Sequence, residues 1–164
     1  MTKYLIILFF LTAAYTTKAQ TYTVDLYDLT YKVNEAVKNG TNSHLKIDLV
    51  LENGNVISIY NRDLRQQGDQ ENGWRLIQPL TVSSLPVRLR TSGYVNFRSG
   101  TDADYDQYND VGIGSVNDIY VSTHSPRMTA ITYKLTIISN DLSVSTTANI
   151  GQKSVSNRIS SMKP

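Results

Sequence analysis

Apolar and polar positions alternate most clearly over residues 44–61, where HLKIDLVL and NVISIYN flank Asn53-Gly54. Asn-Gly tolerates positive φ at both turn positions, so the pattern predicts a two-residue type I′ hairpin. In that register Leu51 faces Val56, Leu49 faces Ser58 and Ile47 faces Tyr60, which gives one mostly apolar face. His44, Lys46, Asp48 and Glu52 take the other face, with Val50, Ile57 and Ile59 among them. A longer loop with a bulge would shift the pairing by one and mix these faces. Ala130 to Ile138 predicts a second strand, because Ile131, Tyr133, Leu135 and Ile137 alternate with Thr132, Lys134 and Thr136. Shorter candidates are Arg75 to Val82, Val87 to Thr91, Gly93 to Phe97, Ile119 to Ser122 and Leu142 to Ala148, separated by Gly, Pro, Asn and Asp clusters.

Residues 25–38 carry two patterns at once. Leu26, Leu29, Val33, Ala36 and Val37 follow helical spacing, and Asn39-Gly40 is placed as a stop. Tyr22, Val24 and Leu26 alternate as a strand would. Together these elements predict a mainly β fold, an antiparallel β-sandwich of Ig-like, C2-like or jelly-roll type, with one short N-terminal helix as an alternative at residues 25–38. It occupies residues 20–150 as a single domain and leaves a polar tail at 151–164.

Residues 1–19 stand apart from this pattern. Lys3, the apolar stretch YLIILFFLTAAY and the small residues Thr17 and Ala19 before Gln20 have the form of a cleaved signal peptide. The apolar stretch falls well short of the ~20 residues needed to cross a bilayer, so no transmembrane anchor is expected. The expected location is secreted: extracellular, at the cell surface or in the periplasm. Of the 16 basic residues, Lys3 and Lys18 lie in this segment, whereas all 14 acids follow Gln20. The remainder is charge-balanced, which removes the electrostatic argument for nucleic acid as a partner. With no cysteine, the domain has neither disulfides nor thiolate metal ligands.

Charge is nevertheless unevenly distributed. TDADYDQYND places Asp102, Asp104, Asp106 and Asp110 in one acidic segment, read as a loop. Oxygen ligands at alternate positions suit Ca²⁺, which accepts about six to eight of them. The EF-hand pattern fails, with Gln107 and Ile113 at the positions that want Gly and Glu. Upstream, six of the eight arginines fall between residues 62 and 98, and Arg88 and Arg90 share a strand face. A guanidinium row binds carboxylate, sulfate or phosphate, or else pairs internally with the acidic segment. Eleven tyrosines against one tryptophan supply flat faces with polar tips, and Trp74, Tyr105 and Tyr108 are the candidate platforms for sugar or protein.

Catalytic signatures are sparse. His44 and His124 have neither a nucleophile motif nor a metal-ligand spacing. Ser122-Thr123-His124-Ser125 resembles the serine/threonine strand of ADP-ribosylating toxins, but the glutamate such enzymes need downstream is missing, since the last one is Glu71. NGTNSHLKIDLVLENGN, Asn39 to Asn55, resembles the segment that opens PLAT and C2-like β-sandwich domains. That resemblance implies a sandwich that binds lipid surfaces or proteins, sometimes with calcium. The expectation is a secreted, non-catalytic recognition or adhesion module for a glycan, surface polymer or protein, with Ca²⁺ as candidate cofactor and oligomers allowed. The alternatives are a structural subunit of a cell-surface or envelope assembly, and a secreted toxin or hydrolase of unfamiliar type.

Overall fold

The computed structural model describes residues 20–40, 42–100 and 102–140. The expected signal segment, the strand expected at Leu142 to Ala148 and the expected tail lie outside the described residues. The strands are β1 (Tyr22–Lys32), β2 (His44–Leu51), β3 (Val56–Asp63), β4 (Gln70–Trp74), β5 (Leu80–Val82), β6 (Pro86–Val95), β7 (Ala103–Asp110), β8 (Val116–Val121) and β9 (Ile131–Ser139). They form two antiparallel sheets, β4-β1-β9-β8 with β5 also on β1, and β3-β2-β6-β7. The chain is thus a mainly β sandwich, with no helix among the described residues.

Residues 25–38 therefore contain strand, and the helical spacing has a specific cause. Tyr27 pairs with Lys134 and Thr30 with Thr132, so β1 has one residue more than β9 across this step. The bulge switches the inward phase from Tyr22, Val24 and Leu26 to Leu29, Tyr31 and Val33, all buried. A three-residue step from Leu26 to Leu29 looks helical in sequence but is a phase slip in a strand.

The hairpin also departs from expectation. Val50 pairs with Val56, and Leu49 with Ile57, one place away from the two-residue register. Gly54 donates its N–H to the Leu51 carbonyl at 2.9 Å, and Leu51 donates to the Asn55 carbonyl at 2.9 Å. Only Gly54, not Asn53, has positive φ, so the loop is longer and carries the bulge that the type I′ turn would avoid. A second irregularity restores Ile47 opposite Tyr60. Inward positions remain apolar on β2, while Val56 is turned out and 58% exposed.

The core lies between the sheets and is cross-linked by buried hydroxyls. Thr91 of β6 and Tyr133 of β9 hydrogen-bond at 2.6 Å, and Tyr31 of β1 and Tyr60 of β3 at 2.9 Å. Burial pushes the Tyr133 hydroxyl up to about 12, against the lowering effect of Thr91. At one side β3 meets β4, where the Tyr60 and Trp74 rings make an edge contact at 4.9 Å and Arg62 pairs with Glu71. At the opposite side Gln107 of β7 donates to the Tyr120 carbonyl of β8 at 3.1 Å. Both sheets therefore present outer faces held on rigid strands.

Candidate functional site on the outer face of the four-stranded sheet

The acidic segment is strand β7, a correction to its reading as a loop. Its alternation is that of a sheet edge: Ala103 and Tyr105 are buried, whereas Asp104, Asp106, Tyr108 and Asp110 point outward. Along β6, Leu89, Thr91 and Val95 enter the core, and Arg88, Arg90, Ser92 and Tyr94 face out. Antiparallel pairing sets Arg88 opposite Asp110, Arg90 opposite Tyr108, Ser92 opposite Asp106 and Tyr94 opposite Asp104.

Both arginines have defined partners. Arg90 donates two bonds to Asp106, both of 2.8 Å, across the diagonal. Arg88 donates to Asp110 at 2.9 Å. The Arg90 bonds hold its guanidinium in the charged form and lower the Asp106 carboxyl below its ordinary value. Both guanidinium carbons also lie against the Tyr108 ring, 5.9 Å from its centroid for Arg88 and 5.5 Å for Arg90, within cation–π range. Tyr108 is 52% exposed between them. On its other flank Arg90 faces Asp48 across β2, whose carboxylate is buried and pairs with Lys46 at 3.0 Å.

The four aspartates do not converge. Alternate strand residues are roughly 7 Å apart, whereas ligands of one calcium ion all lie within about 2.6 Å of it. Asp106 and Asp110 are occupied by arginines, and Asp102, just before β7, accepts from the Tyr94 hydroxyl at 3.0 Å. Among the described residues no three His, Cys, Asp or Glu side chains gather as a metal site.

Two of the proposed aromatic platforms are elsewhere. Tyr105 is turned into the core beneath Gly93, and burial raises its hydroxyl well above the ordinary tyrosine range. Trp74 ends β4 in the other sheet, half-buried against Tyr60. Arg88, Arg90 and Tyr108 therefore come together with Asp106 and Asp110, while Trp74 and Tyr105 do not join them.

Beyond β2, toward β3, lies a polar groove of about 390 Å³ lined by His44, Lys46, Asn61, Asp63 and Arg65, among others. His44 is held there by its Nδ1 at 2.7 Å from the Asn42 carbonyl, and Arg65 donates to Asp63 at 2.8 Å. Sequence reasoning did not mark this groove, because its residues come from β2, the end of β3 and the segment after it. Searched against protein-family models and curated proteins, the chain matches none.

Proposed function

We propose that the chain is an exported, non-catalytic recognition or adhesion module that binds a glycan, surface polymer or protein through the outer face of the four-stranded sheet. The observation that carries this reading is Tyr108, an exposed ring flanked by two guanidiniums that are themselves fixed by Asp106 and Asp110. Tyrosine and arginine dominate the energetic centres of recognition surfaces, and their preorganisation here reduces the entropy lost on binding. Internal pairing leaves the patch nearly neutral, so it suits flat polar partners better than a strongly anionic one. Asp106 and Asp110, strung along β7, serve this face as partners of the arginines.

The test is binding of the intact chain to isolated cell-surface polysaccharide and surface protein, compared with Tyr108→Ala and Arg90→Ala. A central contact of ~2 kcal/mol corresponds to roughly thirtyfold weaker binding. Equal binding by wild type and both variants, all folded, would overturn the assignment. A structural subunit is the second reading, supported by β3, which ends its sheet and exposes Val56. A monomer that persists at high concentration in sedimentation would remove it.

A further inference from the structure

The outer face of the five-stranded sheet carries a different constellation, and its centre is the bulge in β1. Had the alternation of Tyr22, Val24 and Leu26 continued, residue 28 would point into the core. The extra residue instead turns Asp28 outward, in a left-handed backbone with φ 57°, a conformation that is strained for a residue other than glycine. Thr30 braces it: its hydroxyl donates to the Asp28 carbonyl at 3.3 Å and accepts from the Gly73 N–H at 3.4 Å. Bulges of this kind re-aim side chains next to sites.

Asp28 is aimed at Lys134, with an ion pair of 3.2 Å. Asp118 stands opposite Lys134 on β8, so the ammonium lies between two carboxylates. In the adjacent row Tyr120, Thr132 and Thr30 lie side by side on β8, β9 and β1. Tyr120 is 64% exposed and presents its ring on this face. These six residues line an open depression of about 430 Å³ on the face of the sheet. Two strand spacings by one two-residue step make it roughly 10 Å by 7 Å.

We propose that this depression is a second binding site that takes an uncharged saccharide unit. The sugar ring stacks on Tyr120. Its hydroxyls donate to the Asp28 and Asp118 carboxylates and accept from Lys134 and Thr132, charge-assisted bonds that suit polyhydroxyl ligands. Two carboxylates against one ammonium leave the depression net negative, so uronic, sulfated and phosphorylated sugars are disfavoured. This site is independent of the Tyr108 face and lies on the opposite side of the sandwich.

The experiment is amide NMR of the full chain titrated with glucose, galactose, mannose and N-acetylglucosamine, each to tens of millimolar, with glucuronic acid as the charged comparison. At least one neutral sugar shifts the amides of Asp118–Tyr120 and Thr132–Lys134, and glucuronic acid binds at least tenfold more weakly. Tyr120→Ala and Asp118→Asn each weaken the neutral sugar at least tenfold. Asp28→Gly relieves the left-handed strain, so it melts at the same or a higher temperature and yet binds more weakly; a structural role alone would not separate these two readings. The proposal is overturned if no neutral sugar shifts these amides, if shifts fall on Asp104–Asp110 instead, if glucuronic acid binds equally well, or if Tyr120→Ala binds like wild type.

Discussion

Gly93 lies near the end of β6, paired with Leu45 of β2 and Tyr105 of β7, and its missing side chain makes room for the Tyr105 ring. A Cβ added there would overlap Tyr105 Oη and Cζ and stand 2.5 Å from the His44 carbonyl oxygen, where ordinary contacts begin at 3.4 Å. The overlap is about 1 Å into a backbone atom, and Tyr105, 5% exposed, has little space into which to retreat. Overpacking of a well-packed core costs about 1–3 kcal/mol, occasionally more. Because one colliding atom belongs to the paired strand, Gly93→Ala is expected near the upper end, about 3 kcal/mol. At roughly 4 °C per kcal/mol for a domain of this size, melting falls by about 10 °C. Urea denaturation should show the same loss as a shifted midpoint at unchanged slope. In a Tyr105→Ala background the penalty shrinks by at least about 1 kcal/mol without vanishing, since the His44 carbonyl remains in the way. A Gly93→Ala protein within about 0.5 kcal/mol of wild type would refute the inward placement of Tyr105, and with it the register that sets Arg90 beside Asp106 and Tyr108.

Other outcomes follow from the same structure. Thr91→Val strips the buried Tyr133 hydroxyl of its partner and should cost about 1–3 kcal/mol in urea denaturation, most of it recovered when Tyr133→Phe is added. The Asp106 carboxyl is lowered on folding by Arg90, so its contribution is complete above the ordinary carboxylate value near ~3.9 and is lost as pH falls through the lower folded value. For this largely exposed pair, denaturation of wild type against Arg90→Ala should differ by only about 0.5–1 kcal/mol at pH 7, less at high salt, and converge at strongly acid pH. Millimolar calcium should leave the melting temperature unchanged, because Asp102, Asp104, Asp106 and Asp110 are strung along a strand; a calcium-dependent rise would show that they converge.

The sandwich was legible because β2 and β9 keep strict alternation, and Arg88 with Arg90 could be placed on one face for the same reason. What misled were local departures from period two. The β1 bulge gave Leu26, Leu29 and Val33 the spacing of a helix, and a bulged loop replaced the tight turn that Asn53-Gly54 suggests. The expected strands Val87 to Thr91 and Gly93 to Phe97 left a break at Ser92, whereas β6 runs unbroken through it and Gly93 is the position that accepts the Tyr105 ring. β4, with the sequence QENGW, has no apolar alternation to find, since it lies at a sheet edge with no residue fully buried. The acidic segment held a readable clue: aspartate at every second position is what the solvent face of a strand looks like. Asp28 was not legible as a site residue, because only the bulge turns it outward. Tyr120 lacked a signal too, since the row it shares with Thr132 is completed by Thr30 and Asp28 of β1, far away in sequence.

The most direct test of the proposed function is a hydrogen-exchange footprint of the intact chain on the cell-surface material it binds. The account predicts slowed exchange concentrated on β6 and β7, from Arg88 to Tyr94 and from Asp104 to Asp110, and largely lost with Tyr108→Ala. A footprint confined to β8 and β9, or no binding to any surface polysaccharide or protein, would contradict it.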